Sequence, residues 1–351
     1  MHRWPTTALA TLLLPIVAGS CGFAKPDHDA QHPANAFPAW PPPPAQARVQ
    51  YVRSVGAPID WGVEKSVLQH AVDAIAGRID DAFVRPTGVA ERDGVLYVAD
   101  AGVPALWILD VPRNRFSKVA EAGTAKLVSP VAVAPARDGA VFVADSALGK
   151  VFLVDRDGKL VRVVGESELV RPAGLAYDAQ ADRLYVADAA RHVIAVYARA
   201  DGRLLAVRGR RGNADGEFNF PTHLALDRTG TLLVTDALNF RVQAFDPDGR
   251  FLWKLGQGGD GAGDFAAPKG VAADMQGHVF VVDALFDAVQ IFDRDAVLLL
   301  AFGERGSSAG QFWLPGGIFI SSRNEVYVAD AYNRRVQVFQ LRPETGGPAE
   351  K

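Results

Sequence analysis

Six aspartates that recur at regular intervals are the first candidates for chemistry in this chain. Each closes a short apolar run such as LYVAD or VFVVD, and successive members lie 43 to 48 residues apart: Asp100, Asp145, Asp188, Asp236, Asp283 and Asp330. A ring of carboxylates could supply acid–base catalysts or metal ligands. Because every copy has the same residue where a strand meets a loop, we expect it instead to accept hydrogen bonds from loop backbone N–H groups.

The histidines are too scattered for a metal site. A zinc centre needs three or four converging ligands, and the histidines beyond residue 60 fall on different parts of the predicted fold: His70, His192, His223 and His278. Only His223 is placed to reach a central channel, at a position where the other copies have glycine or alanine. It is either a packed residue of an inner strand or the centre of an enzyme site. We predict no metal, no cofactor and no assigned catalytic residue.

Three cations lie next to the prolines that begin three of the copies. Arg85 and Arg171 precede their proline, and Lys269 follows Pro268. At the mouth of a channel these charges would favour an anionic ligand or a carboxylate. The alternative is that they are solvated charges on the rim.

Large apolar side chains are concentrated in the loops of the last three copies. They are Leu238, Phe240, Leu285, Phe286, Trp313 and Tyr332. Exposed together, they would form a patch that binds a partner, whereas packing between neighbouring copies would bury them. The candidate ligand-binding residues are therefore Phe240, Phe286, Trp313 and Tyr332, together with the three cations and His223.

The elements that must position these residues repeat six times along the chain. Each copy begins at a proline and contains short alternating runs separated by turns such as Asp93-Gly94 and Asp157-Gly158. Asp-Gly turns between alternating runs predict β-hairpins, and four antiparallel strands in roughly 45 residues are typical of a propeller blade. The sequence predicts an all-β, six-bladed β-propeller of four-stranded antiparallel blades.

The sixth copy lacks a fourth strand, and a matching strand lies near the other end of the chain. Residues 48–56, RVQYVRSVG, alternate like a fourth strand and end in glycine. We predict that this N-terminal strand closes the ring and removes an exposed sheet edge. The propeller would span residues 48–341, with one short helix at about 60–79 before the first blade and a polar tail at 342–351.

The N-terminal residues resemble an export signal. Arg3 precedes an apolar stretch and small residues that end at Cys21, the only cysteine. The stretch is too short to cross a bilayer, and the pattern is similar to the signal of bacterial lipoproteins, in which a lipid-bearing cysteine follows the cleavage point. We expect a signal peptide at 1–20 and a lipidated Cys21 that begins a proline-rich linker to residue 47. Ordinary secretion is the alternative.

Two of the copies resemble a known repeat. The phrase FNFPTHLALDRTGTLLVTDALNFRVQAFDPDGR and the similar residues 312–339 resemble the NHL repeat, and Asn239–Arg241 and Asn333–Arg335 match its Asn-x-Arg element. The other four copies depart from that element. The whole layout is similar to bacterial six-bladed propeller lipoproteins of unassigned role. This resemblance implies a binding platform rather than a defined activity.

Composition narrows the choice of partners. The chain has 37 Lys and Arg and 40 Asp and Glu, a net charge of −3, without a basic block, which disfavours nucleic acid. We expect a monomeric propeller that is exported and anchored by lipid in a bacterial envelope, on the periplasmic side of the outer membrane. Its long-loop face would bind a protein, a peptide or an anionic envelope ligand. The alternative is a lyase or hydrolase with a site in the central channel around His223.

Overall fold

The computed structural model describes residues 37–64 and 81–342. These residues belong to one compact unit that begins at Phe37. They form 27 strands: β1 Ala39–Trp40, β2 Val49–Val55, β3 Pro86–Arg92, β4 Val95–Asp100, β5 Ala105–Asp110, β6 Arg115–Val119, β7 Glu121–Ala122, β8 Ala125–Lys126, β9 Pro130–Pro135, β10 Val141–Asp145, β11 Lys150–Val154, β12 Leu160–Val164, β13 Pro172–Asp178, β14 Arg183–Asp188, β15 Val193–Ala198, β16 Leu204–Arg208, β17 Pro221–Leu226, β18 Leu232–Asp236, β19 Arg241–Phe245, β20 Phe251–Leu255, β21 Pro268–Ala273, β22 Val279–Asp283, β23 Ala288–Phe292, β24 Leu298–Phe302, β25 Pro315–Ile320, β26 Glu325–Asp330 and β27 Arg335–Leu341.

Short 3-10 turns are the helical elements of the described ranges, at Pro58–Trp61, Val111–Arg113, Arg137–Gly139 and Ala237–Asn239. The helix predicted at about 60–79 lies largely outside the described residues, and its described beginning is the end of the first 3-10 turn. Within the two described ranges, no helix has the length and hydrophobicity needed to cross a membrane.

The strands form six antiparallel blades, as the repeats predict. Blades 1 to 5 are β3–β6, β9–β12, β13–β16, β17–β20 and β21–β24, and a small hairpin, β7–β8, lies between blades 1 and 2. Each inner strand begins at the proline of its repeat. Inner strands of successive blades contact one another, and β25 of blade 6 contacts β3 of blade 1, which completes the ring.

Blade 6 is completed by the N-terminal strand. Its order is β1-β2-β27-β26-β25, and β2 pairs with β27 so that Val49 lies opposite Leu341 and Val55 opposite Val336. Val49 and Val55 are fully buried. The predicted closure of the ring is therefore confirmed, and the pairing covers an edge that would otherwise be open.

A fifth strand extends blade 6 beyond the predicted one. β1 pairs with β2, and the Trp40 ring lies 5.6 Å from the Phe302 ring and 5.9 Å from the Phe339 ring. Part of the segment predicted as a linker is thus packed on the propeller, through the partly buried residues 38–41. Prolines are tolerated here because an edge strand needs fewer backbone donors.

The core consists of apolar clusters between neighbouring blades. Central strands such as β4, VLYVAD, and β5, ALWILD, are buried along their whole length. A four-stranded sheet cannot cover its own two faces, so each blade supplies the cover for the next. This explains why the second and third strands are nearly continuous hydrophobic runs, while the outer strands keep the alternating pattern of a half-exposed sheet.

Alternating strand direction gives the ring two different rims. The turns between first and second strands and between third and fourth strands lie on one rim, here called the tight-turn rim. The loops that follow each aspartate and the loops that lead to each proline lie on the other, the long-loop rim. The outer strands of blades 2 to 6 end on that rim at glycine: Gly256 has φ +86°, and a Cβ atom there would lie 2.1 Å from the Phe265 ring.

Candidate functional site

The six aspartates accept hydrogen bonds from the long loops, as predicted. Asp100 accepts hydrogen bonds from the backbone N–H groups of Val84 and Arg85, at 2.7 and 2.8 Å, in the loop that enters blade 1. It also accepts from Gly102 and Val103, at 2.9 and 3.1 Å, in the loop that follows β4. One buried carboxylate thus joins two loops. The aspartates of the other blades also accept from the loops at this rim.

The Asn-x-Arg element donates hydrogen bonds to the same aspartates. Asp236 accepts from Asn239 Nδ2 at 2.8 Å, from Arg241 Nε at 2.8 Å and from Gln243 Nε2 at 3.2 Å. Arg241 is buried and also donates to the carbonyl oxygen of Ala214 at 2.9 Å. Asp330 has the corresponding partners in blade 6. The element that carries the family resemblance is therefore structural, and it leaves the loops rigid.

Apolar side chains project from these rigid loops. Leu238, Leu285, Trp313 and Tyr332 lie on the long-loop rim of three consecutive blades and are between 43% and 63% exposed. We call these four residues the rim patch. The Trp313 and Tyr332 rings are 5.6 Å apart.

The other two aromatic residues predicted for this patch are less exposed to solvent. Phe240 and Phe286 are only half-exposed or less. A Cβ atom added at Gly258 would lie 3.2 Å from the Phe240 ring, so this ring packs against its neighbouring loop. The patch is thus formed by leucines and by the aromatic residues of blade 6 more than by these phenylalanines.

The three predicted cations lie apart in alternate blades, 1, 3 and 5. Arg85 and Arg171 are exposed. Arg171 lies over the Phe220 ring, 5.4 Å from its centroid. Lys269 is partly buried and acts electrostatically on His223.

His223 lies in a small polar niche of blade 4. It is opposite Thr235 in the register of β17 and β18. In blades 1 to 3 the same cross-strand pair consists of glycine or alanine. The Nδ1 atom of His223 and the hydroxyls of Thr222 and Thr235 are buried and have no hydrogen-bond partner among the described residues.

The niche keeps the imidazole neutral. The ring retains some accessible surface, but its Nδ1 atom is buried. Burial, and secondarily the charge of Lys269, lower the pKa of His223 from 6.5 to about 3. At neutral pH the side chain can therefore donate one hydrogen bond and accept another.

Next to His223 the channel widens into a cavity that sequence reasoning missed. It has a volume of about 460 Å³, begins at Leu224 and extends to the tight-turn rim. Its wall includes the buried Glu91, which accepts from Gly94 N–H at 2.7 Å and from Arg323 Nη2 at 3.1 Å. One sequence feature could have indicated this cavity. When the six inner strands are aligned, Glu91 is the one acidic residue at its position.

Metal binding and lipidation have no structural support of their own. The two described ranges contain no group of three or more His, Cys, Asp or Glu residues that could hold a metal ion. Cys21, the predicted lipidation site, lies outside the described residues.

Solved structures share this fold at low sequence identity. A structural genomics protein of unknown function from Bacteroides thetaiotaomicron has a TM-score of 0.60 and 16% identity, covering 84% of this chain and 76% of that chain. A streptogramin B lyase has a TM-score of 0.57 and 12% identity, with coverages of 75% and 96%. An auxiliary nutrient binding protein from Bacteroides thetaiotaomicron has a TM-score of 0.57 and 12% identity, with coverages of 74% and 70%. At these identities the similarity shows the fold alone.

Sequence comparison identifies the family. No curated protein matches this chain. The NHL repeat model matches residues 312–339, in the last blade. The model described as SMP-30/Gluconolactonase/LRE-like region matches residues 78–257, just over half of the chain. The chain is therefore a six-bladed propeller that belongs to the SMP-30/Gluconolactonase/LRE-like family and carries an NHL repeat.

Proposed function

We propose that this chain is an envelope-anchored binding module that holds a protein partner on its long-loop rim. The observation that carries the proposal is the rim patch. Four large apolar side chains are each about half exposed on the loops of consecutive blades. Exposed apolar and aromatic groups on one face are typical of protein-binding surfaces, in which a few such residues supply most of the affinity.

The loops beneath the patch are fixed before any partner arrives. The patch residues flank Asp236, Asp283 and Asp330, each fully buried and hydrogen-bonded to both of its loops. A surface that is already ordered loses little conformational freedom on binding. This supports recognition of a folded partner or peptide by a rigid platform.

Export and the lipid anchor at Cys21 are part of the same proposal. Their support is the signal-like sequence that ends at Cys21, followed by proline-rich residues. The described propeller begins at Phe37, which leaves the intervening residues as a connection to the anchor.

The test is to cross-link the chain in its native cells and identify what co-purifies. The variant combines Leu285→Ser, Trp313→Ser and Tyr332→Ser. Its matched control combines Val161→Ser and Leu252→Ser, because these residues are similarly exposed on the outer strands of blades 2 and 4. We expect one near-stoichiometric protein with the wild type and the control, and its loss from the patch variant. A partner retained equally by all three would contradict the proposal.

The second candidate is a lyase or hydrolase centred on His223. The observation that favours it is the neutral imidazole with an unbonded Nδ1, opposite Thr235, whose buried hydroxyl also has no partner among the described residues. Elemental analysis of the purified chain and of His223→Gly tests it. A full complement of bound metal that disappears in His223→Gly would favour this enzyme over the binding module.

A further inference from the structure

A second cavity lies between blades 5 and 6, beside the point where the two ends of the chain close the ring. Its volume is about 440 Å³. One wall is a cross-strand row of blade 5, Phe280–Ile291–Leu300. The other is the pair Val49–Leu341 of blade 6. We call it the closure cavity, and it lies near the tight-turn rim, away from the rim patch.

The neighbouring interface between blades 4 and 5 leaves much less space. Between blades 4 and 5 the corresponding row is Leu233–Ala244–Trp253, and the space there is only about 100 Å³. Trp253 and Leu300 occupy the same position in their outer strands. At this position blade 5 has leucine where blade 4 has tryptophan, and the larger space lies beside the leucine.

An oriented histidine borders the closure cavity. His278 Nδ1 lies 2.8 Å from Asp274 Oδ2, and Asp274 is buried. An ionised carboxylate only accepts hydrogen bonds, so Nδ1 carries a proton, and in the neutral imidazole Nε2 is an acceptor. The corresponding residues of the neighbouring blades are Thr231 and Glu325, so the imidazole distinguishes blade 5 from both.

A second acceptor comes from blade 6. Asn324 lines the closure cavity, and its Oδ1 atom is buried without a hydrogen-bond partner in the described part of the chain. An unsatisfied buried oxygen costs free energy that a ligand N–H or O–H group would recover.

Cations border the same cavity at the two chain ends. Arg48 and Arg342 line it, and the Arg342 backbone N–H donates to the carbonyl oxygen of Arg48 at 2.8 Å. Asp274 is the one carboxylate among the described residues of the lining, and the formal charge of these residues is positive when His278 is neutral. The lining thus offers apolar walls, two hydrogen-bond acceptors and an excess of positive charge.

We propose that the closure cavity binds a small amphipathic anion. Its volume lies within the range of small-molecule sites, roughly 300–1,000 Å³. The ligand would have an apolar body between Leu300 and Leu341, an N–H or O–H donor for Asn324 or His278, and a carboxylate or sulfonate toward the arginines. This site is separate from the rim patch and does not depend on the proposed partner.

Anilinonaphthalene sulfonate combines these three features and becomes fluorescent in an apolar site. It would be titrated into the full-length chain carrying Cys21→Ser, which avoids detergent. Leu300→Trp fills the cavity with the residue that blade 4 uses, and Leu252→Trp places the same side chain on an exposed strand as the control. Arg342→Gln removes one charge of the lining.

We expect one saturable site per chain. Leu300→Trp should weaken binding by at least about tenfold, Arg342→Gln by about three- to tenfold, and Leu252→Trp should leave it unchanged. The Leu285, Trp313 and Tyr332 variant should also retain the site. Unchanged binding in a Leu300→Trp chain with wild-type melting temperature, or loss of binding in the rim variant instead, would overturn the proposal. If Leu300→Trp does not fold, His278→Thr replaces it, with the same expected weakening and the same contrary outcome.

Discussion

At the scale of single residues, the groups that look most catalytic in the sequence are those that hold the loops. Asp145 is fully buried, and among the described residues its carboxylate accepts hydrogen bonds only from backbone N–H groups, those of Val128, Ser129, Ala147 and Leu148. Asp236 has the same position in blade 4 but faces the buried guanidinium of Arg241 at 2.8 Å. The two aspartates thus differ in whether their charge neutralises another buried charge.

This difference predicts that replacing the aspartate with asparagine lowers the free energy of unfolding by different amounts at the two positions. Asp236→Asn leaves Arg241 buried without a counter-charge, which should lower the free energy of unfolding by about 3–5 kcal/mol. Asp145→Asn weakens hydrogen bonds to backbone groups only and should cost about 1–3 kcal/mol. Urea denaturation of both variants measures the difference. Equal costs would show that the carboxylates act through the backbone bonds alone.

His223 predicts a pH dependence of stability. Its pKa is about 3 in the folded chain and near 6.5 when unfolded, so between these values the unfolded chain binds the extra proton. Stability must then fall as pH decreases from about 6.5 toward 3. Between pH 7 and pH 5 the wild type should lose roughly 2 kcal/mol more than His223→Gly.

Blades 1, 3, 5 and 6 have glycine at the position of His223, so the backbone there should accommodate His223→Gly. Urea midpoints of both proteins at the two pH values give the comparison. Parallel loss of stability in wild type and variant would mean that the imidazole does not titrate differently on unfolding.

At the scale of elements, the strand that closes the ring was predictable and the strand beside it was not. β2 alternates and ends in glycine like the fourth strand of the other blades, and the missing strand of the sixth repeat indicated its partner. β1 consists of Ala39 and Trp40 next to a run of prolines. A two-residue strand is too short to show an alternating pattern. Its place on the sheet depends on the contacts of one side chain, Trp40, with other aromatic rings, which the sequence does not reveal.

Trp40 should therefore stabilise the propeller although it precedes the repeats. Its ring contacts the Phe302 and Phe339 rings. Trp40→Ala should lower the free energy of unfolding by about 2 kcal/mol, and urea denaturation measures this loss. Phe37→Ala is the control, because Phe37 is 60% exposed, and it should change stability by less than about 0.5 kcal/mol. Similar effects of the two substitutions would indicate that β1 is not held by its tryptophan.

At the scale of the whole molecule, the repeat period predicts the blades, their number and the two rims. It also predicts that the apolar loop residues of blades 4 to 6 share a rim, although not which of them are exposed. Phe240 shows the limit, since its exposure depends on the packing of Gly258 in a neighbouring loop. The closure cavity could not be predicted either, because the repeat makes the blade interfaces formally equal and does not fix the side-chain volumes on their walls, of which Leu300 and Trp253 are one example.

The propeller and its proposed anchor should be separable. Cys21 precedes the compact unit that begins at Phe37, so Cys21→Ser should leave the fold intact while it abolishes lipid attachment. A single acyl chain gives only reversible membrane binding, and stable anchoring needs a further signal, which a multiply acylated cysteine would supply. We expect wild-type chain in the membrane fraction and Cys21→Ser chain in the soluble fraction, with the same melting temperature.

The measurement is membrane fractionation of both chains in the native host, with circular dichroism of the purified proteins. The Leu285, Trp313 and Tyr332 variant serves as a second comparison, because loss of the rim patch should leave the chain at the membrane. If Cys21→Ser chain remains in the membrane fraction while the rim variant leaves it, the propeller itself, through its long-loop rim, holds the protein at the membrane. The rim patch would then bind a membrane component, and the lipid anchor would have no part in localisation.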